Sequence, residues 1–279
     1  VIFSGNYADY TFSQSDSYVS LMTNNTTNQV VSLYVVEQLQ FDDGIADLQT
    51  TSSGEFQVNL VNNQSSISTP QITTLINGSF VITYKSGNIY AQIYNANGSV
   101  QGIGVQITTW TQAQQNSQYP SIAALNNGGF IVAWEAEDED DFGIFAQIFD
   151  ANGIIQGSEF QVNTYSTNHQ RFPSVTALID GSFVITWQSQ YYSGFSYQVF
   201  AQIYNADGTT QGGEIHINTY TPLTPSTNHP SITALNNGGF VIVWDAYSLT
   251  GSQAGDGDGY GIFAQIYNAD GATQGSEFQ

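Results

Sequence analysis

Two acidic stretches are the first candidates for chemistry in this chain. EAEDEDDFG (135–143) gathers Glu135, Glu137, Asp138, Glu139, Asp140 and Asp141, and GDGDGYG (255–261) sets Asp256 and Asp258 either side of a single glycine. Hard cations take several oxygen ligands from a flexible loop. Asp138, Asp140, Asp141, Asp256 and Asp258 are therefore the candidate metal ligands, with calcium the expected ion. No distal bidentate Glu completes an EF-hand spacing, and the plain alternative is a solvated acidic loop. A third stretch, QSQYYSGFSYQ (188–198), carries Tyr191, Tyr192, Phe195 and Tyr197. Loop aromatics stack on sugars or anchor a protein contact; the alternative is that they fold back over a sheet edge.

Catalytic signals are sparse. The three histidines are His169, His216 and His229, with no metal-type spacing, and there is no GxSxG and no cysteine. His169 and His229 share the string STNH, which predicts a repeated structural position, and His216 takes the place of an outward-facing Gln. Paired carboxylates for glycoside hydrolysis stay open, because their separation is not a property of sequence. No catalytic residue is assigned, and an enzyme is not the expectation.

The elements that must position these stretches are repeats. PQITTLINGSFVITY (70–84), PSIAALNNGGFIVAW (120–134), PSVTALIDGSFVITW (173–187) and PSITALNNGGFVIVW (230–244) are copies of one unit. Each leads into IYAQIYNANG (89–98), IFAQIFDANG (144–153), VFAQIYNADG (199–208) or IFAQIYNADG (262–271). GVQIT (104–108), SEFQVN (158–163), GEIHIN (213–218) and SEFQ (276–279) then follow, and an earlier GEFQVN (54–59) precedes the first copy. Asn-Gly, Gly-Gly and Asp-Gly turns between β-branched runs predict strands joined by hairpins. The FVIVW run predicts a strand buried on both faces, flanked by half-buried strands. The acidic and aromatic stretches fall in the variable insert after that run, where a constant scaffold carries specificity.

The fold class predicted is all-β: four tandem four-stranded antiparallel repeats, propeller-like, with a stack of sandwiches as alternative. Repeats are expected at about 54–103, 104–157, 158–212 and 213–275, with 276–279 an orphan strand opening a fifth. Residues 1–53 do not match the repeat and predict a small N-terminal β module. The orphan strand motivates an alternative function, a filament subunit that adds copies of itself head to tail by strand pairing.

Composition narrows the partners. One lysine, Lys85, and one arginine, Arg171, face 23 acidic residues, for a net charge of −21. Nucleic acid and anionic membrane surfaces are excluded as partners, since nothing replaces their counterions. No stretch is long enough for a membrane-spanning helix. The chain begins with Val and no signal peptide, so a processed product or interior fragment is expected.

SGNYADYTF with LQFDDGIADL resembles a small module of large secreted bacterial proteins of the RTX (hemolysin-type calcium-binding) kind. PSITALNNGGFVIVW, GIFAQIYNADG and GSEFQVNTY resemble tandem repeats of similar giant exported proteins. The resemblance implies secretion, calcium-rich surroundings and a surface, adhesive or matrix role, with no defined catalytic activity; the location expected is extracellular or at the cell surface, and the partners expected are surface glycans or copies of the chain itself. The glycine-aspartate nonapeptide of RTX calcium rolls is absent here. Calcium binding is therefore not carried over by that motif. A non-catalytic surface or matrix protein is the main expectation, with the filament and a polysaccharide-active enzyme as alternatives.

Overall fold

In a computed structural model, residues 10–16, 19–24, 30–34, 38–41, 44–47, 58, 67–108, 117–138, 141–190, 197–218, 229–248 and 259–278 are described. The chain divides into two compact units, Val1–Asn62 and Asn63–Gln279, a boundary several residues later than the repeat pattern suggests. In the first unit, β1 (Tyr10–Asp16), β2 (Val19–Asn24) and β3 (Val30–Tyr34) form an antiparallel sheet. β4 (Gln38–Phe41) and β5 (Gly44–Asp47) form a separate hairpin.

The second unit is four four-stranded antiparallel sheets, each a simple meander. The first sheet holds β6 (Ile67–Thr74), β7 (Phe80–Ser86), β8 (Asn88–Tyr94) and β9 (Val100–Gln106). The second holds β10 (Gln118–Ala124), β11 (Phe130–Glu137), β12 (Phe142–Phe149) and β13 (Ile155–Gln161). The third holds β14 (Gln170–Ala177), β15 (Phe183–Gln190), β16 (Tyr197–Tyr204) and β17 (Thr210–His216). The fourth holds β18 (Ser231–Ala234), β19 (Phe240–Ser248), β20 (Gly259–Tyr267) and β21 (Thr273–Phe278).

This order corrects the repeat boundaries. The SEFQ segment pairs with β20 through Ala264 and Phe278, so it completes the fourth sheet and is not an orphan. In every sheet the EFQVN-type block is the last strand, because the Asn/Asp-Gly turn before it closes a hairpin with the IFAQIY block.

The IFAQIY strand is also more buried than alternation suggests: every residue of β12 is buried. Its glutamines explain why. Gln147 Nε2 donates to Ile148 O at 2.9 Å and Gln156 O at 3.1 Å, and Gln202 and Gln265 repeat the arrangement. These bonds satisfy carbonyls where the last strand bulges, at Gly157 in the second sheet with φ 73°. A buried Asn at the end of the block pins the strand start: Asn163 and Asn218 accept the N–H of Ile144 and Val199, both at 2.7 Å.

Successive sheets stack face to face. The side of each sheet toward its successor is called trailing here, and the side toward its predecessor leading. Val81, Ile89, Ala91 and Ile93 on the trailing face of the first sheet pack against Phe130, Val132, Trp134 and Phe149 on the leading face of the second. Ile131, Ala133, Ile144 and Ala146 meet Val175, Phe183, Ile185 and Trp187 in the next interface. Val184, Val199, Ala201 and Ile203 meet Ile232, Phe240, Ile242 and Trp244 in the third. The first strands β6, β10, β14 and β18 approach one another, while the last strands diverge. Sheets that converge on their first strands are propeller blades, not stacked sandwiches.

Candidate functional site

The converging first strands share a local irregularity. In β6, β10 and β14 the pairing with the second strand shifts between Ser68 and Gln71, Gln118 and Ser121, and Arg171 and Ser174. Each shift contains a residue followed by proline, and that residue lies in the left-handed region: Thr69 at φ 51°, Tyr119 at 46° and Phe172 at 55°. Proline denies its predecessor the right-handed helical region and gives no N–H to the ladder. Holding a non-glycine residue in this conformation costs on the order of 1–3 kcal/mol.

The bulges of β10 and β14 carry Tyr119 and Phe172, which form a row of rings with His229 of the fourth blade. Tyr119 and Phe172 meet edge to face with centroids 4.9 Å apart, and Phe172 meets His229 at 4.5 Å. Tyr119 and His229 are exposed, and Phe172 is half-buried. His229 stands directly before Pro230, so it holds the position of Phe172, whereas His169 lies three residues earlier. The shared STNH string therefore does not mark equivalent positions.

Carboxylates fix the row from beneath. Glu135, fully buried at the end of the second blade, accepts the Phe172 N–H at 3.1 Å. Asp245, at the matching position of the fourth blade, accepts the His229 N–H at 2.9 Å and lies 3.3 Å from its Nδ1. Lys85 and Arg171 act on Glu135 at a distance, through their charge. Burial pushes its pKa up, and the Phe172 N–H, Arg171 and Lys85 pull it down by less. Lys85 is lowered by burial, against the raising effect of Glu135. The Arg171 guanidinium lies 4.6 Å from the centre of the Phe142 ring, a cation–π contact.

Of the predicted metal residues, Asp138 and Asp141 are described. Glu135 and Glu137 belong to the strand β11 and not to the loop. Asp138 Oδ1 accepts the Asp141 N–H, and its Oδ2 accepts from the Gln161 amide, both at 3.0 Å. Asp141 Oδ1 is 3.1 Å from His169 Nδ1. Among the described residues no three His, Asp or Glu side chains gather as a metal set. Asp140, Asp256 and Asp258 lie outside the described residues, as do Tyr191, Tyr192 and Phe195. Tyr197 is half-buried at the start of β16, opposite Gln190, and is not brought to the ring row. His216 lies opposite Phe200 and stacks on it at 5.0 Å.

Sequence reasoning passed over Tyr119, Phe172, Lys85 and Arg171. The available signal was the residue before the repeat proline, which runs Thr69, Tyr119, Phe172, His229 while the proline after it stays constant. The residue after the buried aromatic, Lys85, Glu135, Gln188 and Asp245, varies in the same way.

No family model matches the sequence, the RTX kind included, and no curated protein matches it. Solved structures share the architecture. A protein of unknown function from Dyadobacter fermentans aligns over 92% of this chain and 70% of its own, at 12% identity and TM-score 0.53. The endo-1,5-alpha-L-arabinanase of Thermotoga petrophila aligns over 97% and 74%, at 12% identity and TM-score 0.44. The polysaccharide lyase Uly1 aligns over 98% and 70%, at 10% identity and TM-score 0.48. The all-β, propeller-type assignment rests on the four antiparallel sheets and their converging first strands, and at these identities the likeness concerns the fold alone.

Proposed function

We propose that this chain is a non-catalytic, extracellular carbohydrate-binding domain that holds a polysaccharide across the convergent ends of its blades. The row Tyr119–Phe172–His229 carries the reading, because it sets partly exposed rings side by side at the cost of two left-handed backbone positions. Strained positions of this kind concentrate at ligand sites. Aromatic faces pack on the apolar faces of sugar rings, and adjoining polar groups such as the His229 imidazole hydrogen-bond hydroxyls. The net charge of −21 favours a neutral or cation-bridged glycan over a polyanion.

Affinity electrophoresis of the intact protein through gels containing a panel of polysaccharides tests this. Retardation by at least one polysaccharide is expected, and Tyr119→Ala weakens it roughly five-fold, from about 1 kcal/mol for one aromatic contact. Retardation by none, or equal retardation of the parent and Tyr119→Ala, defeats the proposal.

A second reading, polysaccharide cleavage, is favoured by one observation. Burial holds the Glu135 carboxyl toward its protonated form, as a general acid requires. Against it stands the complete burial of Glu135 and its bond to Phe172 N–H, which suit a structural pin. Release of reducing ends by the parent and not by Glu135→Gln is the result that would favour cleavage.

A further inference from the structure

Five hairpin turns of the second unit contain an Asn-Gly pair, at Asn77, Asn97, Asn127, Asn152 and Asn237. All five asparagines are exposed. In every pair the glycine N–H donates to the carbonyl three residues earlier, at 2.9–3.0 Å. The asparagine side chains differ. Asn77 Oδ1 accepts both the N–H and the hydroxyl of Ser79, at 3.0 and 2.6 Å. Asn97 Oδ1 accepts the same two groups from Ser99, at 3.0 and 2.7 Å. Asn127 and Asn237 each hold one such bond, from the Gly129 N–H at 3.0 Å and the Gly239 N–H at 3.1 Å. Asn152 holds none within its turn: among the described residues its Oδ1 accepts only the Gln101 amide, at 3.3 Å on the exposed surface.

Two flanking residues set Asn152 apart. Asp150 opens its turn, and Asp150 Oδ1 takes the N–H groups of Asn152 and Ile154, at 2.8 and 2.9 Å. The Ile154 N–H is the group that corresponds to the Ser99 N–H held by Asn97. At the matching first position Asn95 and Asn205 instead donate their side-chain amides to the hydroxyls of Ser99 and Thr209, at 3.0 and 2.9 Å. Ile154 has no hydroxyl to offer Asn152 a second bond. Asp207 and Asp270, the counterparts of Asn152 in the third and fourth blades, accept the N–H of Thr209 at 2.9 Å and of Ala272 at 3.1 Å.

We propose that Asn152 is a site of spontaneous covalent modification, deamidating in the folded protein while the other four Asn-Gly pairs are held back. The Gly153 nitrogen bonds to the Asn152 Cγ, the Cγ–Nδ2 bond breaks, and ammonia leaves carrying the glycine proton. Water then opens the resulting succinimide at either carbonyl, to aspartate or to isoaspartate. The Asn side chain must swing onto the next nitrogen, so each bond on its Oδ1 that breaks first adds to the barrier. One such bond slows the step roughly five-fold. The order is therefore Asn152 fastest, Asn127 and Asn237 next, Asn77 and Asn97 slowest. Aspartate fits the turn, as Asp207 and Asp270 show. Isoaspartate lengthens the backbone by a methylene where Gly153 packs on the first blade, so closely that a Cβ there would lie 2.7 Å from Val105 Cγ2.

The test incubates the intact protein in mildly alkaline buffer, folded or unfolded in urea, and maps both by acid-protease digestion and mass spectrometry. In the folded protein Asn152 converts roughly five-fold faster than Asn127 or Asn237, and Asn77 and Asn97 are slower again. In urea the five rates converge, because glycine follows each asparagine. Ile154→Ser, at a position 60% exposed, supplies the missing hydroxyl and slows Asn152 about five-fold. Unchanged rates at the other four turns verify that this variant keeps the fold. Equal rates at all five turns of the folded protein overturn the proposal. So does the same ranking in urea, or an Asn152 rate that Ile154→Ser leaves unaltered.

Discussion

Glu135 supports the ring row if its carboxylate is a pin for Phe172, and two substitutions separate that role from mere charge. Glu135→Ala removes the acceptor of the Phe172 N–H and opens a void between the second and third blades. An orphaned N–H costs about 1–3 kcal/mol, and each lost methylene about 1 kcal/mol more. The expected loss is therefore about 2–4 kcal/mol, with Arg171 and Lys85 also deprived of their counter-charge. Glu135→Gln keeps an acceptor oxygen of similar shape and removes a charge that burial disfavours. It should stay within about 1 kcal/mol of the parent at neutral pH. Because the folded state raises the Glu135 pKa, it binds that proton more tightly than the unfolded chain does. Stability conferred by the protonated carboxyl is thus full below the ordinary Glu range and declines as pH rises from that range through the raised value. Glu135→Gln abolishes this decline, so its stability relative to the parent improves with rising pH. Urea titrations of the three proteins across that window measure both effects, and taking differences cancels the shared acidic background. If Glu135→Ala costs less than about 0.5 kcal/mol, or if Gln is as damaging as Ala, the pin assignment is wrong.

Three further outcomes follow from the fold. A Cβ on Gly239 would lie 2.2 Å from the Tyr267 carbonyl oxygen, a backbone atom that cannot step aside, so Gly239→Ala should cost about 3 kcal/mol or more. Gly213 has nothing within 4 Å of its Cβ position, and Gly213→Ala should be neutral or stabilise by up to about 1 kcal/mol; thermal melts of the pair compare them directly. His216 is lowered by desolvation against Phe200, so the folded chain resists its protonation and stability falls as pH drops below the ordinary His range. His216→Gln, the residue found at Gln106 and Gln161, should remove that acid-side loss, and an unchanged slope of stability against pH would exclude the assignment.

The repeat, its strands and its turns were legible in the chain itself, because two-residue alternation and Asn-Gly or Gly-Gly turns act locally and recur four times. Which strand closes each blade was not. EFQVN reads equally well as a beginning or an end, and only the pairing of β20 with β21 decided that SEFQ ends the fourth blade. The candidate site was hidden for a similar reason. Tyr119, Phe172 and His229 lie more than fifty residues apart in sequence and meet only because the first strands converge. Glu135 read as one acid in a run, and its burial against the next blade set it apart from Asp138 and Asp141. Sequence determined the four blades and their apolar faces, since hydrophobic patterning is a property of each strand alone. Tertiary structure decided which faces are filled, which charges are buried and which rings adjoin, since each of those depends on the neighbouring blade.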